Sequence, residues 1–275
     1  MVALVSRETI IELVAQETQW VVNQRMDKLR QEMHDTMSLS PFLIPILFDL
    51  HNAASFEELG DLLLAGHLMV GHNTSFGKLI DEKILPRVFG ATKLNAQYRK
   101  STPPLEEACF DEIDHIVRRP DNKAALLSLK ASRWTINLSG ARSLNAAFAE
   151  ILRKYSAQYD EIVVGIFNGT LTGLSDKYDI LRGLNRGKNH DVIDVQVNVQ
   201  VLAGKDFWAW LNGDEPLTQY WVLDGILEGL KVANCQEECK QLLKDYTLAF
   251  NALYAKYINT DGTIDWHQIL TAING

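Results

Sequence analysis

The chain has 275 residues, 47% of them hydrophobic and 23% charged, a length and balance that suit a soluble globular protein of one large domain or two small ones. No apolar run approaches the roughly eighteen residues a membrane span needs. Three cysteines, Cys109, Cys235 and Cys239, exclude a disulfide framework and suit a reducing compartment. The opening MVALVSRETI continues into polar sequence unlike a signal peptide, so a cytoplasmic protein is expected. The net charge of −8 argues against a nucleic-acid partner, but the balance is local: residues 118–205 hold 13 Lys and Arg against 8 Asp and Glu. A basic centre with acidic ends can still bind phosphates.

In chain order, residues 6–37 predict a helix, with Ile10, Ile11, Leu13, Val14, Val21, Val22, Met26 and Leu29 at helical spacing. Two prolines within residues 38–45 break it, and short helical pieces follow over 46–50 and 56–69. His67 and His72 are five apart, which does not align them on a helix as a metal pair. Residues 71–75, GHNTS, read as a loop with capping residues, after which 76–89 resume as a helix carrying Asp81 and Glu82. Residues 93–107 include Pro103 and Pro104 and read as a surface connection.

The chemistry concentrates in residues 110–130, FDEIDHIVRRPDNKAALLSLK. Residues 113–117 and 124–130 are apolar runs of strand length, separated by turn-forming residues, so the pair predicts a β-hairpin. Side chains alternate along a strand, so Ser128 and Lys130 share one face, and pairing can bring Asp114 beside Lys130. A carboxylate next to a strand-borne lysine suits phosphodiester hydrolysis. The first is an oxygen ligand for Mg²⁺, and the second orients or activates the attacking water.

Beyond the hairpin, residues 140–155 predict a helix with Leu144, Phe148, Ile151 and Leu152 on its buried face. Residues 161–168, EIVVGIFN, read as a buried strand, 175–181 as a short helix, and the valine-rich 192–202 as another strand. Between them lies RGLNRGKNH, residues 182–190. Its Arg182, Arg186, Lys188, Asn189 and His190 include the residue types that read base edges in the major groove. No phosphate-cradling glycine motif occurs, so a nucleotide cofactor is not expected. From Gly204 onward the pattern is helical. Cys235 and Cys239 fit one helix face but have no second pair to complete a zinc site, and residues 257–268 fail as a calcium loop at Tyr257 and Gln268.

Asp114 followed by Ser128-Leu129-Lys130 resembles the PD-(D/E)xK nuclease signature, and departs from it at Ser128, where that family usually carries an acid. The runs GHNTSFGKLIDEKILPRVFGA, CFDEIDHIVRR, LLSLKASRWTINL, DKYDILRGLNRGKNHDVID and AGKDFWAWLNG resemble type II restriction endonucleases that cut at purine-GG-N-CC-pyrimidine. The similarity extends from about residue 37 to residue 267. The resemblance implies an α/β fold: a central mixed β-sheet with the catalytic hairpin, flanked by helices, with helical N- and C-terminal parts. It divides the chain into a helical part over 1–70, a catalytic core over 71–204 and a helical part over 205–275. It further implies Mg²⁺-dependent cleavage of double-stranded DNA at a palindrome, leaving 5′-phosphate ends, by a homodimer. Asp114, Lys130 and Ser128 fall in the catalytic positions, with the Leu129 carbonyl as a metal ligand. Restriction enzymes lacking the strand acid take one from a nearby helix, which makes Glu82 the candidate second ligand and Glu107 its rival. Arg133 and Trp134 lie at the edge of the expected site and join the loop residues as DNA contacts. A structure-selective resolvase and a non-cleaving DNA-binding module are the alternative functions.

Overall fold

The computed structural model describes residues 4–32, 40–119, 124–130, 136–185 and 187–275. Helices α1 (Arg7–Glu32), α2 (Leu43–Leu50) and α3 (Phe56–Lys78) come first. Helix α3 runs directly into a π-helical turn, Leu79–Ile84, and then α4 (Leu85–Phe89). Pro86 explains this widening, because it has no N–H and its ring crowds the carbonyl one turn earlier. Then follow β1 (Thr92–Lys93), α5 (Ala96–Ser101), β2 (His115–Arg118), β3 (Ala124–Lys130), α6 (Leu138–Tyr155) and β4 (Glu161–Ile166). The chain continues through α7 (Lys177–Ile180), β5 (Val199–Ala203), α8 (Lys205–Leu211), α9 (Thr218–Ala233), α10 (Gln236–Ala255) and α11 (Trp266–Asn274).

The chain forms two compact units, Met1–Glu17 with Gly77–Gly229, and Thr18–Phe76 with Leu230–Gly275. The first is α/β. Its five-stranded mixed sheet has the order β1-β2-β3-β4-β5, antiparallel at the first two pairings and parallel at the last two. Strand alternation puts Ile116, Leu126, Ile162, Val164 and Ile166 on one face, where they pack with Leu144, Phe148 and Ile151 of α6. Burying side chains of this size contributes about 1.5–3 kcal/mol each, which is what makes α6 dock on the sheet. On the other face Phe207 of α8 lies against Gly165: a Cβ there would meet the Phe207 ring at 2.5 Å and Leu127 at 2.8 Å. The glycine in EIVVGIFN therefore lets α8 approach the sheet backbone.

The second unit is helical. Phe56 stacks on Tyr254 with ring centroids 5.1 Å apart, and Phe48, Phe250, Trp266, Ile44 and Ile269 complete that core. Thr247 donates to Asp61 at 2.6 Å, tying α10 to α3. Among the described residues no helix is long and apolar enough to cross a membrane.

Three stretches differ from the local reading. Residues 71–75 are helical within α3 rather than a loop, so the capping types there do not start a new helix. Residues 93–107 are no bare surface connection, for they contain α5 and the fully buried Leu105. The valine-rich stretch becomes a strand only over Val199–Ala203. Before it, Asp194 accepts from Gln196 N at 3.1 Å and Asn198 donates to Asp160 O at 2.7 Å, while Val197 is 92% exposed. Asp and Asn side chains compete here with the ladder for backbone partners, and the alternating valines do not outweigh them.

Candidate metal and nuclease site

Asp114 stands one residue before β2. Its N–H donates to Leu127 O at 2.8 Å, and its own Oδ2 accepts from Leu129 N at 2.7 Å, so main chain and side chain both fasten it to β3. The pairing His115↔Leu127 puts Asp114 across from Ser128. Ser128 is fully buried and its Oγ has no hydrogen-bond partner among the described residues. Burial raises the Asp114 carboxyl above its ordinary range, opposed by the Leu129 N–H bond and by the charges of Lys130 and Lys93, and reinforced by Asp81. Lys130 lies at the end of β3, its side chain mostly buried, with Nζ 3.6 Å from Glu112.

Arg99 of α5 supports this arrangement from behind. Its guanidinium donates to Leu94 O at 3.1 Å, to Phe110 O at 2.6 Å and to Ile113 O. The segment leading into Asp114 is thus held through its carbonyls by the fixed fork of one arginine. Leu94 N donates to Asp114 O at 2.8 Å from the other side.

The preceding helix also delivers a carboxylate, and it is Asp81. Lys93 Nζ donates to both Asp81 oxygens, at 2.7 and 2.6 Å, and stands 3.9 Å from Asp114 Oδ1. His115 Nε2 is 3.1 Å from Asp81 Oδ1, close but not aligned for a hydrogen bond. The imidazole is fully buried, and that burial, with the Lys93 charge, lowers its pKa to about 3, so it is neutral at physiological pH. Glu82, the sequence candidate, is exposed on the π-helical turn. The wider turn changes the phase of the helix, and the residue that reaches the strands is one position earlier.

Glu107 belongs to a separate cluster. With Cys109 and Glu150 it brings ligand atoms within 4.8 Å of one another, a group able to hold a metal ion. Lys154 Nζ already bridges Glu107 at 2.9 Å and Glu150 at 2.6 Å, and the Tyr155 hydroxyl donates to Glu107. These contacts hold the Glu107 carboxyl below its usual range, whereas burial pushes the Cys109 thiol up. A thiol among the donors suits a softer ion than Mg²⁺.

The described residues of the loop over 182–198, 182–185 and 187–198, are held by side-chain hydrogen bonds at its base. Asn145 of α6 is buried and donates to Leu181 O at 3.1 Å and Ile193 O at 2.8 Å, while accepting from Ile193 N at 2.8 Å. Gly183 has φ +99°, and a Cβ there would meet Ile193 O at 2.2 Å, so the loop base closes only on glycine. Arg182 donates to Val199 O at 3.0 Å. Asn189 caps Asp191 N at 2.9 Å, and His190 N donates to Asn185 at 2.7 Å. Lys188 and Asn189 are exposed at the tip. Arg133, Trp134 and Arg186 lie outside the described residues.

Sequence reasoning missed Lys93, Arg99, His115 and Asn145. Lys93 and Arg99 sit in a stretch with no strand-like or catalytic pattern, and a lone buried His or Asn carries no local signal. No family model and no curated protein matches the chain.

Proposed function

We propose that the chain is a Mg²⁺-dependent type II restriction endonuclease of the PD-(D/E)xK kind. It would cut both strands of a palindromic DNA site and leave 5′-phosphate ends. The observation that carries this reading is the convergence of Asp81, Asp114 and Lys130 at one end of the antiparallel strands β2 and β3.

The donors fit Mg²⁺. Asp114, Asp81 and the Leu129 carbonyl are all oxygens, the set a hard cation prefers, whereas the Glu107, Cys109 and Glu150 cluster includes sulfur and is neutralised by Lys154. When bound, Mg²⁺ supplies charge stabilisation at phosphate oxygens and a more acidic bound water. Lys130 would orient the attacking water and balance charge as it builds on the phosphate. Asp81 takes the role of the acid that the family usually carries where this chain has Ser128. Arg99 and the Leu129 N–H bond fix Asp114, so the carboxylate needs no reordering on metal entry.

The loop of Arg182, Arg186, Lys188, Asn189 and His190 is the reader of base edges, and its tip residues Lys188 and Asn189 are exposed. Arg133 and Trp134, just beyond β3, supply contacts near the cut. A palindrome has two-fold symmetry, which a homodimer with one site per strand matches. The enzyme acts in the cytoplasm and uses no nucleotide cofactor.

Incubation with a long mixed-sequence duplex and Mg²⁺ tests the proposal. Discrete fragments with 5′-phosphate ends support it, and sequencing those ends checks purine-GG-N-CC-pyrimidine. Nicking limited to branched or mispaired DNA indicates a structure-selective resolvase. Binding without cutting indicates a non-cleaving DNA-binding module, the outcome Ser128 favours.

A further inference from the structure

Lys93 is one of only two residues in the edge strand β1, and it pairs with His115. Its ammonium contacts both oxygens of Asp81 and approaches Asp114, so two carboxylates from different elements share one organic cation. One buried polar group borders the same place. The His115 ring is fully buried with Nε2 3.1 Å from Asp81 Oδ1, and neither of its nitrogens has a hydrogen-bond partner among the described residues. Polar atoms enclosed at no gain in hydrogen bonding beside two carboxylates are the mark of a ligand-binding place rather than of a surface ion pair.

Building on the nuclease reading above, we infer that Lys93 is a resident counter-ion of the metal site: its ammonium bridges Asp81 and Asp114, and a divalent cation binds by displacing it. Without a cation the two carboxylates would repel each other, and the ammonium keeps them converged. A divalent ion held by the same oxygens would face like-charge repulsion from that ammonium. The side chain of Lys93 is 30% exposed, and its flexible stem gives the ammonium a route to solvent. Displaced, Lys93 becomes a mobile cation at the mouth of the site, in reach of a phosphate backbone.

The test is Mn²⁺ titration of the full chain, followed by electron paramagnetic resonance, on the wild type, Lys93→Gln, Lys93→Arg and Asp114→Asn. Lys93→Gln is expected to bind Mn²⁺ roughly tenfold tighter, because the competing charge is gone, and Lys93→Arg to bind no tighter than the wild type. Asp114→Asn is expected to lose the site. If Asp114→Asn loses Mn²⁺ but Lys93→Gln does not tighten it, the displacement idea fails and the metal site stands. If Asp114→Asn binds as the wild type does, the metal reading itself fails. An independent measurement on the wild type guards against poor folding of a variant. Saturating Mg²⁺ is expected to raise the rate at which an amine reagent labels Lys93, read by mass spectrometry, and an unchanged rate overturns the inference.

Discussion

Asp114 Oδ2 accepts the N–H of Leu129 at 2.7 Å, so the carboxylate is fixed to the neighbouring strand by its own side chain as well as by its backbone. Burial of that carboxylate has a cost for stability, which the Leu129 N–H bond only partly offsets. The folded pKa of Asp114 lies above its ordinary 3.8. The native state therefore holds this proton more tightly than the unfolded chain, and its contribution to stability falls as pH rises through that window and stays lost at neutral pH.

Asp114→Asn keeps an oxygen for Leu129 N and removes the charge. It is expected to abolish cleavage, leave specific DNA binding intact or tighter, and raise the melting temperature at pH 7.5. The gain should shrink as pH falls through the raised folded pKa towards 3.8, and be absent below about 3.8, where the carboxyl is protonated in both folded and unfolded chains. Thermal melts at both pH values and a cleavage assay with gel shift check this. A lower melting temperature at pH 7.5 contradicts it.

The two helix carboxylates should separate cleanly. Asp81 contacts Lys93 and stands beside His115, whereas Glu82 is exposed. Asp81→Asn is expected to reduce cleavage by roughly a hundredfold or more, with partial recovery in Mn²⁺, and Glu82→Gln to stay close to wild type. Single-turnover rates on one duplex decide between them. The reverse ranking returns the second ligand to Glu82.

His115 makes an acid-sensitive element of the core. Its pKa is about 3 in the folded chain against an ordinary 6.5, so its contribution is present above pH 6.5 and is lost as pH falls from there through about 3. His115→Leu removes this titration. Relative to its value at pH 7, the variant should gain about 2–3 kcal/mol on the wild type at pH 4.5, as read from urea unfolding at the two pH values. Parallel acid sensitivity of the two proteins would count against a neutral buried imidazole.

Asn145 carries the loop proposed to read DNA. Removing its amide in Asn145→Ala leaves Leu181 O, Ile193 O and Ile193 N without their partner. The expected loss is about 1–3 kcal/mol of stability, with faster amide exchange at Ile193 and little change in β3. Hydrogen exchange by mass spectrometry checks it, and unaltered exchange at residues 182–198 contradicts the bracing role.

The sequence by itself determined the strands and helices whose residues repeat with a clear period. The apolar run over Ala124–Lys130 is a strand because it is short, continuous and bounded by turn residues, and the period of two puts Ser128 and Lys130 on one face. The spacing of Leu144, Phe148 and Ile151 likewise determined the buried face of α6. Only the tertiary structure decided which helix carboxylate shares the Lys93 ammonium with Asp114, for on the π-helical turn before Pro86 it is Asp81 that reaches Lys93 while Glu82 is exposed. It also decided that Lys93 meets Asp81, that Arg99 holds the carbonyls of the segment leading into Asp114 and that Asn145 braces the loop, since each acts across pairings or packing that no local window contains. Residues 192–198 show the same limit, for the choice between ladder and side-chain bonds there depended on Asp160, a residue more than thirty positions away.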